Sequence, residues 1–279
     1  MDHTLDVIGP ITRTVADAAL LLSVIAGPDW RDPQWVRGEK VDDYLAGLDD
    51  GVAGLRVGLV EETLDPELCQ PAVVRGTEDV AERLAAAGAE VERVSVPLWP
   101  SAFALWLGAL VAVWAPMLRT YSVGFSHLGL LEVEGVHAAS MVRYDEGHLM
   151  PSTIKLVLLV NAYLEERYNG VPLARAHNQR LVLRRAVDEA LGAHDLLLAP
   201  TVPRVPPPLP IGRMTPVEAM NRIVSETRLT CLANVTGHPA MAVPSRTDEA
   251  GMPTSAQVIG PRWADRRVLA AGAAIEAAG

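Results

Sequence analysis

Apolar residues recur at helical spacing at Val15, Ala18, Ala19, Leu22 and Ile25, behind a Thr14/Asp17 capping box and ahead of Gly27. That pattern predicts a helix over roughly 13–26. From Asp29 to Asp50 the chain turns polar, broken by Pro33, Gly38 and Gly47, and reads as a surface connection with a short helix near Tyr44. Leu55–Val60 is a continuous apolar run, the signature of a strand buried on both faces. Pro71 opens the next helix, Val73, Val80, Ala81, Leu84 and Ala87 give its stripe, and Gly88 stops it. Ala89–Val96 alternates as a strand, so 55–96 forms one βαβ unit with a right-handed crossover. Ala102–Leu118 is a buried helix, interrupted by Gly108 and Pro116, and short of the ~20 residues that span a bilayer. Trp99, Trp106 and Trp114 read as core around it.

Further helices are predicted over Ser152–Arg167, Leu173–Leu191, Thr215–Ala233 and Ala264–Ala277. Strands fit Asp195–Ala199, Ala240–Val243 and Ser255–Ile259, with a stiff loop through Pro206–Pro208. The fold class is α/β, a mixed β-sheet flanked by helices on both faces, in one domain spanning 1–279.

Composition narrows the chemistry. With 49% hydrophobic and 21% charged residues the chain buries a substantial core. A net charge of -10 argues against nucleic acid, because backbone phosphates are bound by clustered Lys and Arg. No basic, apolar leader opens the sequence, so the cytoplasm is the expected compartment, with no membrane partner. Cys69 and Cys231 are too far apart for a CxxC site and read as buried thiols.

Several catalytic designs are excluded. No serine has glycine two positions before and after it, as a nucleophile elbow requires. The turn after Val60, EETLDPELCQ, is acidic and glycine-free, and would repel a pyrophosphate. His127, His137 and His148, with Glu132, Glu134 and Glu146, match no ligand spacing, so neither a metal nor another cofactor is expected. Lys40 lies in the polar connection, Lys155 on a helix surface, and neither has a local hydroxyl partner that would suit a neutral base.

Three blocks resemble the amidase signature family. Leu5–Leu22, LDVIGPITRTVADAALLL, is similar to the family's LDHxGPxxRTVxDAALLL, with Val7 at the usual histidine and Asp6 and Gly9-Pro10 kept. Asp195–Pro203, DLLLAPTVP, resembles the strand and loop leading to the active-site rim. Asn234-Val235-Thr236-Gly237-His238-Pro239, Val243-Pro244, Gly251-Met252-Pro253 and Gln257 to Pro261 resemble its closing pattern, followed by a helix containing Glu276. The likeness runs in order through nearly the whole chain, and is closer to aryl and alkyl amidases than to the glutamine-dependent tRNA amidotransferase.

The resemblance implies an amidase-signature-like fold that is incomplete, comprising the carboxyl-terminal half. In the family a lysine, a cis-peptide serine and a nucleophilic serine hydrolyse the amide, and all three precede the first block. No catalytic residue is therefore assigned to this chain. A late start codon, a chosen domain boundary and a decayed gene are all open, as are a split enzyme and a non-catalytic binding module. The resemblance assigns Leu5, Trp106, Val224 and Thr227 to the wall of the acyl pocket, with His238 as a structural turn residue. Their apolar character favours a bulky hydrophobic acyl group. The expected partner is a small-molecule amide, once an amino-terminal half complements this one. Unpaired strand edges and an exposed apolar surface should mark the junction, with homo-oligomerisation as a consequence.

Overall fold

The computed structural model describes residues 5–32, 41–119 and 130–279. Its centre is a five-stranded mixed sheet built from β1 (Arg56–Val60), β2 (Glu90–Val94), β3 (Leu196–Pro200), β4 (Ala240–Thr247) and β5 (Pro253–Ile259), in the order β2-β1-β3-β5-β4. β1 runs parallel to both β2 and β3, and β5 lies antiparallel to β3 and β4.

Strand alternation feeds two separate cores. Val57, Leu59, Leu196, Leu198, Ala256 and Val258 point to one face, where they meet α2 (Pro71–Ala86) and α9 (Asp265–Ala277) through Val80, Leu84, Val268 and Ile275. Val60, Leu197, Ala199 and Ile259 point to the other, against α3 (Ser101–Arg119), α6 (Val171–Ala193) and α8 (Cys231–Thr236). Helices on both faces explain why Val57–Val60 of β1 and the whole of β3 read as apolar runs. Gly58 on β1 is required by close packing: a Cβ there would stand 2.6 Å from Val94 Cγ1. α1 (Val15–Ile25) lies outside α9, and Val15, Ala18 and Ala19 pack with Tyr44 and Leu269.

The remaining elements are α4 (Val133–Asp145), α5 (Ser152–Tyr168) and α7 (Pro216–Thr227). Three differences from the sequence reading have physical causes. α4 falls in a stretch for which the sequence predicts no element; most of its described side chains are exposed and they carry no apolar stripe, so periodicity had nothing to detect. The helix expected over 215–233 is two helices, α7 and α8, because the turn at Leu229 hands its carbonyl to the Gln257 side chain. The full capping box belongs to Thr215 and Glu218 on α7, whereas at Thr14 the hydroxyl accepts from the Asp17 N–H alone.

Lys40, His127, the connection over 33–40 and the Trp114 side chain lie outside the described residues. Among those described, no helix is long and apolar enough to cross a membrane. The two sheet edges differ. β2 presents the exposed charges Glu90, Glu92 and Arg93, while β4 presents Ala240, Ala242 and Pro244.

Candidate wall of a substrate pocket

The motif blocks, far apart in sequence, are tied together by side chains that bond to backbone. Asn234 Nδ2 donates to the Leu5 carbonyl at 2.7 Å, joining the last block to the first. Glu276 Oε2 on α9 accepts from the Val15 N–H at 3.2 Å and so satisfies a donor in the first turn of α1. The buried Gln257 amide donates to the carbonyls of Pro200, at 2.9 Å, and Leu229, at 3.1 Å, linking the rim strand to the α7–α8 turn.

The Thr236-Gly237-His238-Pro239 loop is held from several sides. Gly237, at φ +77°, closes α8 in the left-handed region, which a side chain would resist. Arg180 and Arg184 on α6 donate to the Val235 and Thr236 carbonyls at 2.6 and 2.7 Å, covering the end of α8. His238 is fully enclosed, with Nδ1 2.9 Å from Thr236 Oγ1 and Nε2 3.2 Å from Asp188 Oδ1. Burial pushes this imidazole below its ordinary range, against the pull of Asp188. Thr236, His238 and Asp188 have the composition of a hydrolytic relay. Thr236 is completely buried and its hydroxyl also lies 2.9 Å from the Leu232 carbonyl, so no substrate carbonyl can reach it. The cluster is framework.

Of the four residues assigned to the pocket wall, Leu5 and Trp106 belong to one core: Leu5 is buried in the cluster on the α3 face, and the half-buried Trp106 packs against that cluster. Val224 and Thr227 sit one turn apart on α7, both half-buried, and do not belong to that cluster. Thr227 Oγ1 is occupied by its own helix, 3.2 Å from the Ile223 carbonyl and 3.4 Å from that of Val224. Two residues the sequence reading missed connect the pairs. Phe103 stands 6.1 Å from Trp106, ring to ring, and Arg228, the residue after Thr227, lies 5.9 Å over the Phe103 face. Phe103 falls one helical turn before Trp106, a spacing that could have flagged it. Trp99 is core, 2% exposed.

Other nucleophiles and ligands are disposed of locally. Cys69 and Cys231 are buried and burial pushes both thiols up to about 12, far from a thiolate at neutral pH. Lys155 is exposed and donates to the His148 carbonyl at 2.8 Å. His137 is exposed, and His148 Nε2 lies 3.5 Å from Glu146 in solvent. Among the described residues no group of His, Cys, Asp and Glu is placed to hold a metal ion.

The helix-covered mixed sheet matches the fold of solved amidase-signature structures, and the chain belongs to the amidase family, whose model matches residues 1–269. It is similar to an enantioselective amidase of Rhodococcus rhodochrous, 34% identical over 99% of this chain and 53% of the relative. One subunit of the glutamyl-tRNA(Gln) amidotransferase of Synechococcus sp. (strain CC9902) is 31% identical over 95% of this chain and 53% of its own length. The crystal structure of the corresponding subunit from Thermotoga maritima superposes with a TM-score of 0.70 at 30% identity, covering 98% of this chain and 53% of the other. A bacterial aryl acylamidase of the amidase signature family gives a TM-score of 0.72 at 25% identity, covering 97% and 52%. The chain thus spans about half the length of the relatives it matches.

Proposed function

We propose that these 279 residues act as one domain, the carboxyl-terminal half of an amidase-signature amide hydrolase, and form the wall that receives the acyl group. The reading rests on the convergence of Leu5 and Trp106 in one apolar cluster, pinned through Asn234 to the TGxP loop. Val224 and Thr227 extend that wall along α7, which packs against α5 and whose C-cap residue Arg228 lies over the Phe103 ring of α3. Such a surface orients a hydrophobic acyl group by burying it, and leaves nucleophile, proton transfer and oxyanion stabilisation to a triad-bearing half.

The half-length match to longer relatives, and the lack of a Gly-Gly-Ser-Ser run in these residues, support this division of labour. The substrate is a small aryl or alkyl amide with a bulky acyl group, cleaved in the cytoplasm to acid and ammonia or amine. The amidotransferase relatives are named as subunits, and a partner chain that supplies the triad fits the same reading.

The test incubates the purified chain with a panel of aryl and alkyl amides and a serine-directed fluorophosphonate. Neither turnover nor labelling is expected until a triad-bearing amino-terminal half is supplied. Removing an oxyanion donor alone costs ~100-fold or more, and here nucleophile and oxyanion site are assigned elsewhere. Amide hydrolysis that copurifies with the isolated chain, or stoichiometric labelling of one of its serines, would refute the assignment.

A further inference from the structure

The candidate wall ends on a charge. Val224, Thr227 and Arg228 fall at i, i+3 and i+4 and share one side of α7, because Arg228, the C-cap residue, keeps helical backbone angles of φ -62° and ψ -28°. The Arg228 guanidinium lies 5.9 Å over the Phe103 ring, and Phe103 stands 6.1 Å from Trp106. Two aromatic rings on α3 and a cation at the end of α7 therefore form one continuous row. The other wall residues, Leu5, Val224 and Thr227, carry no charge.

An arginine at a helix C-terminus has two ordinary occupations, the last carbonyls of the helix and a nearby carboxylate. Here other side chains fill both. Thr227 Oγ1 donates to the Ile223 and Val224 carbonyls, Thr230 Oγ1 to the Thr227 carbonyl at 3.3 Å, and Cys231 Sγ to the carbonyl of Arg228 itself at 3.5 Å. The Leu229 carbonyl is taken by Gln257. Glu226, the nearest acid in sequence, faces Arg222 at 4.0 Å.

Among the described residues no carbonyl or carboxylate accepts a hydrogen bond from the Arg228 guanidinium, which is exposed. A cation over an aromatic face is held by the ring's quadrupole and keeps its N–H groups for acceptors. Those donors form a planar fork that matches the two oxygens of a carboxylate. The row thus offers an apolar surface and, at its end, a positioned receptor for a negative charge.

We infer, resting on the functional reading above, that Arg228 sets the substrate class: the acyl group has an apolar body that lies along Trp106 and Phe103 and ends in a second, ionised carboxylate bound by the Arg228 guanidinium. The substrate is then the monoamide of a dicarboxylic acid. A neutral acyl group of the same size makes the apolar contacts and forgoes the ion pair. Arg228→Lys keeps the charge without the fork, so it retains only part of the preference.

The test uses 4-carbamoylbenzoate and its neutral methyl ester, which share one apolar body, as probes of the 279-residue chain. Binding is followed by nuclear magnetic resonance at the Arg228 Nε–H signal, assigned by its loss in Arg228→Gln. The anion should bind roughly 10-fold more tightly than the ester and shift that signal. Added salt should weaken the anion alone. Arg228→Gln, with an unchanged far-ultraviolet circular dichroism spectrum, should bind the two probes equally. Equal affinities in the parent chain, or a preference that survives Arg228→Gln, overturn the inference. So does failure of either probe to bind, and so does an ester that shifts the Arg228 signal as much as the anion, which assigns the guanidinium to the aryl ring. Supplying a triad-bearing amino-terminal half separates the two readings. Arg228-dependent preference in binding without turnover keeps the carboxylate site and sinks the functional reading. Turnover of both probes at equal kcat/KM keeps the functional reading and sinks the carboxylate site.

Discussion

Replacing Gln257 with leucine should cost more than any exposed substitution in the chain, because its amide serves two carbonyls at once. The side chain is 3% exposed, and Nε2 donates to Pro200 at the end of β3 and to Leu229 between α7 and α8. Leucine has similar volume, so little cavity forms and the loss is polar. Two buried carbonyls left without this donor cost ~1–3 kcal/mol each, and the apolar replacement returns part of that, leaving a net loss of roughly 2–4 kcal/mol. Gln257→Glu should be worse, since it sets a carboxylate against the same carbonyls in a dry site. Urea unfolding followed by far-ultraviolet circular dichroism measures the difference, and in a chain of this size the melting temperature should fall by roughly 2–4 °C per kcal/mol. Hydrogen exchange should locate the damage at the Leu229 turn. A Gln257→Leu chain within about 0.5 kcal/mol of the parent would show that the two carbonyls find other partners, and that this residue does not couple rim to helix.

Leu84→Ala and Leu183→Ala, at fully buried positions on opposite faces of the sheet, should each lose ~2–5 kcal/mol in the same assay. His238 should make stability depend on pH in one direction. Burial lowers its folded pKa, so the neutral ring is favoured in the fold, while the unfolded chain takes up a proton below about pH 6.5; the contribution is complete above that value and is lost as pH falls. The stability difference between the parent and His238→Gln should therefore shrink between pH 7.5 and 5, within about that window, and a constant difference would contradict the assignment. Both cysteines should resist iodoacetamide at pH 8 in the native chain and react fully in urea, as mass spectrometry would read, because burial holds each thiol up to about 12.

Strand positions were legible because both faces of β1 and β3 are covered, which leaves an apolar run that no exposed segment imitates. The apolar pattern of β4 stops at Val243, yet the strand runs to Thr247, past a register irregularity between Pro244 and Thr247 that no local pattern announces. α4 escaped because a helix with exposed flanks has no apolar stripe. The candidate wall came from family likeness, not from periodicity: Val224 and Thr227 are half-buried residues on an amphipathic helix, like many that only pack. The contacts that organise the site were invisible for a different reason. Val15 and Glu276, or Leu5 and Asn234, meet only because the chain closes the full sheet between them. A sequence pattern records a side chain's type, and here each polar side chain answers a backbone group whose position is set by the fold.

That feature also bears on how a wall could work before its triad is present. The side chains of Asn234, Gln257, Arg180, Arg184 and Glu276 all end on main-chain atoms of this same chain. Leu5 and Trp106 share one apolar core that these bonds within the chain help to hold. Under the proposed function a triad-bearing half would meet a surface already ordered, and the entropic cost of arranging the acyl wall would not fall on substrate binding. The Pro200 and Leu229 carbonyls, held by one amide, fix the rim strand relative to α7, so a shift of the rim strand would carry Val224 and Thr227 with it. Acyl selectivity would then be set within this half and turnover by the other, and the two should respond to different substitutions.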